Sequence, residues 1–372
     1  MCTSLSYRDA AGRVYFGRTL ELTIDLPYEV AFFPAGFKTV SQVAGHPALS
    51  FAAKHSFLAV TMPCELPVAG RPTAISALKS LEGLNDKGLT FSLLSYPAAS
   101  GGPKEAIAAT RAVLSASDLG GWALGQFASV AEVKAALAMQ PVMLQPLAIL
   151  GGAVSPFHYV VHDASGASLV IEFEAGEMRL YDNPVGVMTN GPQFSWHLTN
   201  LNNYTFLSNV DRSAASFGSY KAVQPDSGIA TAGLPASNTS VGRFVRAAYY
   251  AQFAEKAADP DLAVITLSHV MNNFDRPRGI TIDYPSAGSG GLEVPGLSSD
   301  AGQSYATEFT CWTSLADLDR KLFFLRDYRS LGFTRLDLRA LSGETHPKVI
   351  ALDRFDGLDS DGTAALLRAN AA

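Results

Sequence analysis

Cysteine at position 2, directly after the initiator methionine, is the residue of this chain with the plainest chemical potential. A small residue in second place favours removal of Met1, which leaves Cys2 with a free α-amine. That amine has a reference pKa of roughly 7.7–8.0, so it can serve as a base near neutrality. One residue then supplies a thiol nucleophile and its own base, a combination suited to acyl transfer. Many chains begin Met-Cys by chance, so the surrounding residues have to carry the argument.

Those surroundings start with a hairpin. Cys2 to Tyr7 is short and partly alternating, Asp9-Ala-Ala-Gly12 is a turn, and Arg13 to Thr19 returns with Val, Tyr and Phe. Pairing about that turn brings residue 18 or 19 back beside residue 2 or 3, which places Arg18 close to Cys2 within a residue or two of register. A guanidinium there favours thiolate. Further strands are expected at Ala48 to Thr61 and Gly88 to Tyr96. Pro156 to His162 and Ser168 to Phe173 flank the turn Asp163-Ala-Ser-Gly166, with Glu177 to Tyr181 and Val185 to Thr189 following. Strands resume at Tyr305 to Ser314, Lys321 to Tyr328 and Phe333 to Leu338. Helices are expected from the capping box Ser129-Val-Ala-Glu132 through Leu137, over Ser240 to Ala257, and over Leu262 to Asn272. Strands at both ends with helices between them read as α+β layers and not as a βαβ repeat. Pro285 to Ser299 reads as a long surface loop.

Several separated segments resemble the choloylglycine hydrolase family, which comprises bile salt hydrolases, penicillin V acylases and related linear-amide hydrolases. Gly17-Arg-Thr-Leu-Glu21 is similar to its G-R-x-L-D signature. Met188-Thr-Asn-Gly-Pro192 followed by Leu198-Thr-Asn-Leu-Asn-Asn203 resembles its T-N-x-P and L-x-N-L-x-N segment. Gly233-Leu-Pro235 with Ser240-Val-Gly-Arg-Phe-Val-Arg246 resembles its G-L-P…S-x-x-R-F-V segment. The likeness continues through Tyr181-Asp-Asn-Pro-Val-Gly186 and Phe309-Thr-Cys-Trp-Thr313, and covers roughly Cys2 to Leu338 in order.

The resemblance implies an N-terminal nucleophile hydrolase fold: a four-layer αββα sandwich of two antiparallel sheets between helical layers. It implies one domain over residues 1–345, with 346–372 as a C-terminal extension to which no role attaches. It assigns Cys2 as nucleophile, Arg18 beside the thiol, Asn190 as an oxyanion donor, and Arg243 as a second arginine tying the site together. Glu21 stands where the family has Asp, a carboxylate longer by one methylene that could still orient the α-amine. Leu94-Ser-Tyr-Pro97 puts Ser95 where bile salt hydrolases commonly have Asn, with its main-chain N–H as the second oxyanion donor. Leu22 replaces a Trp frequent in bile salt hydrolases. These three departures favour the penicillin V acylase-like part of the family, with long-chain N-acyl homoserine lactones as further compatible substrates and conjugated bile salts as the alternative. A non-catalytic binding protein on the same fold is a reading of a different class.

Composition bounds the rest. The chain has 372 residues, 48% apolar and 17% charged, and a net charge of −6. It can bury a large core, and it has no Lys/Arg block suited to a phosphate backbone. No apolar run approaches the ~20 residues needed to cross a bilayer. Three cysteines, Cys2, Cys64 and Cys311, and seven scattered histidines form no disulfide framework and no metal motif. Cys64 and Cys311 read as small buried hydrophobes. No cofactor is expected, and the partner is a small N-acyl amide. No nucleic-acid partner or membrane insertion is expected, and a homo-oligomer, tetramer or dimer, follows by analogy. No signal peptide is visible, so the chain as written reads as cytoplasmic, or periplasmic if a leader preceded it.

Overall fold

The computed structural model describes residues 1–64, 73–99, 106–284, 305–355 and 362–369. The expected loop Pro285 to Ser299 lies outside these residues. Fourteen strands build two large antiparallel sheets. In chain order they are β1 (Cys2–Arg8), β2 (Val14–Leu22), β3 (Glu29–Phe33), β4 (Phe57–Pro63), β5 (Leu78–Asn85), β6 (Thr90–Ser95) and β7 (Phe157–His162). They continue with β8 (Ser168–Glu174), β9 (Glu177–Asp182), β10 (Val187–Met188), β11 (Phe309–Asp317), β12 (Leu322–Asp327), β13 (Thr334–Asp337) and β14 (Lys348–Ala351). One sheet has the order β10-β1-β2-β11-β12-β13, the other β9-β8-β7-β6-β5-β4-β3-β14.

The N-terminal hairpin forms as its turn chemistry requires. Gly12 takes φ +81°, a conformation open to glycine at little steric cost. The Asp9 carboxylate accepts from the N–H groups of Ala11 and Arg13 at 3.0 and 2.9 Å. β1 and β2 are paired on both flanks and buried almost throughout, so their side chains alternate between two covered faces.

One face is covered by helices α4 (Ser240–Phe253) and α5 (Pro260–Asn272), which pack on β1, β2 and β11. The other meets the eight-stranded sheet, where Phe16 of β2 lies 4.6 Å from the ring of His162 of β7. Helices α1 (Leu119–Gln126) and α2 (Val130–Leu137) cover the far side of that second sheet. The layers are therefore αββα. Among the described residues no helix is long and apolar enough to cross a membrane.

Three differences from the sequence reading have physical causes. Ala48 to Thr61, expected as one strand, is split into Leu49–Ala52 and β4. Lys54 and His55 fall in the gap, where their N–H groups donate to Gly125 O at 2.6 and 3.1 Å. Helix α1, with three glycines in eight residues, was unmarked because each glycine disfavours helix by about 1 kcal/mol. Packing sustains it. A Cβ on Gly120 would lie 2.7 Å from the Phe91 ring, and one on Gly83 of β5 would lie 2.6 Å from both Leu58 O and Leu124 Cδ1.

Third, the residues after 345 add an edge strand: β14 pairs with β3, and Leu352, Phe355 and Leu366 are buried with the main core. The short helix α6 (Gly362–Leu367) packs against β13.

Gly83→Ala is expected to lower stability by about 1–3 kcal/mol through overpacking of α1 on the sheet, read as a drop in the urea midpoint. An unchanged midpoint would contradict the contact.

Candidate active site

Strand alternation sorts the site residues onto two sides of one sheet. Cys2 pairs with Leu20 and Ser4 with Arg18, so Cys2, Arg18 and Leu20 face the neighbouring sheet and Thr3, Thr19 and Glu21 face the helices. Arg18 is thus the diagonal cross-strand neighbour of Cys2, and its Nη2 lies 3.4 Å from Sγ. Arg18 is fully buried. Its Nη2 also donates to Leu93 O, and its Nη1 lies 3.5 Å from both Leu81 O and Glu82 Oε2. The guanidinium stacks 4.6 Å above the Trp312 ring. Its position is set by groups from two strands of the second sheet, β5 and β6, and from sheet neighbour β11, so the charge is delivered to the thiol without freedom to swing.

The helix-facing side holds the main chain of Cys2. Arg243 sits in the first turn of α4, which Thr239 caps by accepting from Gly242 N at 3.2 Å. From there its Nη1 donates to Cys2 O and, at 2.6 Å, to Thr3 Oγ1. Its Nη2 donates to Asn190 Oδ1 at 2.7 Å. Asn190 follows β10, and its own N–H donates to Ser240 Oγ at 2.9 Å. Cys2 N donates to the same Oδ1 at 2.9 Å. With two donors on Oδ1 the amide orientation is determined, and Nδ2 donates to Ser95 O at 2.7 Å. An amide nitrogen has two hydrogens, so one remains for a substrate oxygen.

Ser95 ends β6. Tyr96 N donates to Pro156 O at 2.7 Å, which makes the facing pair Ser95 and Phe157 a non-hydrogen-bonded one. The N–H and C=O of Ser95 therefore point away from β7, to the side where Ser95 O meets Asn190 and Leu93 O meets Arg18. Both expected oxyanion donors come to one place.

The family model for linear amide C-N hydrolases, choloylglycine hydrolase family, matches residues 2–288. The chain belongs to the choloylglycine hydrolase family. It is 32% identical to a conjugated bile acid hydrolase of Lactobacillus acidophilus over 67% of this chain and 74% of that protein. Its fold is similar to that of a variant of the conjugated bile acid hydrolase from Clostridium perfringens, with a TM-score of 0.78, 23% identity, and 97% and 99% of the two chains covered. It is also similar to that of penicillin V acylase from Agrobacterium tumefaciens, with a TM-score of 0.70, 22% identity, and 94% and 92% covered. Members of the family are hydrolases of linear amides, and this chain is one of them.

Within that family frame, Glu21 is fully buried. Its Oε1 accepts from Thr310 Oγ1 at 3.3 Å, and among the described residues its Oε2 has no hydrogen-bond partner. Burial raises its pKa, against the pull of Arg243 and the N-terminal ammonium. Burial likewise lowers that of Arg243.

Several contributors were not legible in the sequence. Strand β11 carries a bulge between Thr310 and Trp312: Thr310 pairs with Glu21 and Trp312 with Leu20. The extra residue, Cys311, lets Thr310 address the helix-side acid while Trp312 lies under Arg18 on the opposite face. His158 ties the segment after β10 that carries Asn190 to the second sheet, with Nε2 2.9 Å from Thr189 O and Nδ1 2.9 Å from Glu172 Oε1. Glu172 in turn accepts from Phe194 N at 3.1 and 3.0 Å, at the start of the unforeseen helix α3 (Phe194–Asn200). A strand His and a Glu fourteen residues on carry no spacing signal. Cys311 is buried as expected, whereas Cys64 is only partly buried, and neither is in a disulfide.

Beside the thiol is a narrow apolar cavity of about 40 Å3, lined by Cys2, Leu20, Leu22, Tyr28, Leu93 and Phe157 among others.

Asn190→Ala is expected to lower kcat about 10²–10³-fold with the fold retained, measured by steady-state kinetics beside circular dichroism. A fall under threefold would remove Asn190 from the oxyanion site. Burial pushes the Cys311 thiol up to about 12. At pH 8 the folded protein should leave Cys311 unalkylated by iodoacetamide until denaturant is added, as read by peptide mapping. Labelling of Cys311 in the native state would contradict its burial.

Proposed function

We propose that the chain hydrolyses N-acyl amides through Cys2 as an N-terminal nucleophile, after loss of Met1. The observation that carries this is the convergence at one residue: Arg18 Nη2 at 3.4 Å from Sγ, Asn190 Oδ1 at 2.9 Å from Cys2 N, and Asn190 Nδ2 at 2.7 Å from Ser95 O. The freed α-amine takes the thiol proton as Sγ attacks the amide carbonyl. The oxyanion is held by Asn190 Nδ2 and Ser95 N–H. The carbon–nitrogen bond breaks and the proton passes to the leaving amine. Water, deprotonated by the same α-amine, then releases the acid from the thioester. Arg18 Nη2 holds its charge against Sγ at 3.4 Å. Glu21, buried on the helix side, is the carboxylate assigned to the α-ammonium in this mechanism.

The narrow apolar cavity supports a slender acyl group, such as an aryloxyacetyl or an unbranched alkanoyl chain, over a sterol. This favours penicillin V and long-chain N-acyl homoserine lactones. Similarity to the conjugated bile acid hydrolase of Lactobacillus acidophilus supports conjugated bile salts as the second reading. A homo-oligomer, dimer or tetramer, is part of the same proposal. The exposed ribbon Ala214–Phe217 and Tyr220–Val223 supports it by presenting Phe217 and Tyr220, 71% and 69% exposed, to a second copy.

The test is intact mass of the purified protein, then turnover of penicillin V, decanoyl-homoserine lactone and glycocholate with and without thiol blockage. The expected result is a mass lacking Met1, loss of all turnover on blockage, and at least tenfold slower cleavage of glycocholate than of the better slender substrate. Faster glycocholate cleavage would move the assignment to bile salts. A processed protein that cleaves none of the three would overturn the amidase reading in favour of a binding role.

A further inference from the structure

Met1 lines a second cavity, of about 620 Å3, together with Asn238, Ser240, Arg276, Asp283 and Glu308 among others. The Met1 ammonium donates to Glu21 O at 2.5 Å and lies 3.2 Å from Glu308 Oε1. Glu308 is only 7% exposed, and Arg276 Nη1 donates to its other oxygen at 2.8 Å. Arg276 is itself spoken for, since Nη2 donates to Thr281 Oγ1 at 2.7 Å. Burial works against the Glu308 carboxylate, but the ammonium and Arg276 outweigh it and hold its pKa low. The molecule therefore contains a built receptor for a primary ammonium.

Its location gives that receptor a meaning. Three bonds separate Met1 N from Cys2 N, so the ammonium lies within about 4 Å of the nitrogen that becomes the catalytic amine. A leaving amine that accepts its proton from that amine must come within about 3 Å of it. The Met1 ammonium and a leaving nitrogen thus share the surroundings of one atom, and the cavity that Met1 lines opens beside it. Ser240, which binds Asn190 N at 2.9 Å, forms part of the same wall. The apolar slot beside Sγ and the cavity beside Met1 lie on the two sides of the nucleophile.

We propose that the cavity behind Met1 is the subsite for the amine half of the substrate, and that Glu308 selects uncharged or cationic amines against those bearing an acid beside the nitrogen. The proposal rests on the amidase reading of Cys2 and deepens it. In the cleavage step the carbon–sulfur bond forms, the carbon–nitrogen bond breaks and the thiol proton reaches nitrogen through the α-amine. The amine leaves as R–NH2, takes a proton from water and meets Glu308 as an ammonium. Among the lining residues two carboxylates, Asp283 and Glu308, stand against one guanidinium, so a glycine carboxylate would meet a like charge.

The experiment uses protein whose mass lacks Met1 and three octanoyl amides, of n-butylamine, 1,4-diaminobutane and glycine. The expected kcat/KM is at least tenfold higher for the first two than for the glycine conjugate. Glu308→Gln should narrow that ratio about tenfold and Glu308→Asp should preserve it; being a ratio, it is insensitive to a general loss of active protein. A second reading needs no turnover: n-butylammonium should slow iodoacetamide labelling of Cys2 more than glycine does, with the difference lost in Glu308→Gln. Selective protection with no cleavage of any amide would keep the amine subsite and remove the amidase reading. Equal ratios and equal protection in wild type and Glu308→Gln would overturn the subsite.

Discussion

The site depends on one constraint, the immobilisation of the Cys2 main chain from both of its polar ends. Arg243 holds Cys2 O and Asn190 holds Cys2 N, and the two are bonded to each other through the same amide oxygen. A terminal residue is ordinarily the loosest part of a chain. Here it lies inside a paired strand, and a buried guanidinium and a buried amide close a ring around it. The ring is costly to open, because it would strand a charge and several polar groups away from water. Asn190 belongs to that ring and, in the proposed mechanism, also to the oxyanion position, so whatever fixes Cys2 also fixes the amide assigned to the developing charge.

The second organising fact is the separation of the two arginines by the sheet. Arg18 and the thiol face the neighbouring sheet, among the main-chain oxygens of Leu81 and Leu93. Glu21 faces the helices, and Arg243 reaches the sheet from helix α4 on that same side. Alternation along β1 and β2 produces this division without any loop, and the bulge in β11 maintains it one strand further out. A regular β11 would turn Thr310 and Trp312 to the same side, and either Glu21 or Arg18 would lose its neighbour. The chemistry is thus carried by strand register, which the burial of both faces of the hairpin strongly specifies.

Much of this was legible in the sequence because it is local. The hairpin follows from Asp9 to Gly12 and places Arg18 beside Cys2 by pairing alone. The capping box at Ser129 and the helix beginning at Ser240 carry their signals within a few residues. The αββα layering, and the roles expected of Asn190 and Arg243, entered through motif resemblance and not through periodicity. What stayed hidden is long-range: the Glu308 and Arg276 pair, the His158 bridge to Thr189 O, and the bulge at Cys311 join elements far apart in the chain. Helix α1 stayed hidden for another reason, since its glycines serve close packing at the expense of helix propensity.

The central claim is that Cys2 Sγ carries the acyl group during turnover. The most direct measurement is an acid quench of the processed enzyme during turnover of penicillin V or decanoyl-homoserine lactone, followed by peptide mass mapping. The account calls for an acyl adduct on the N-terminal Cys2 peptide that disappears on chasing in buffer. Turnover with no adduct on that peptide under any quench time, or an adduct on Cys64 or Cys311 in its place, would contradict it.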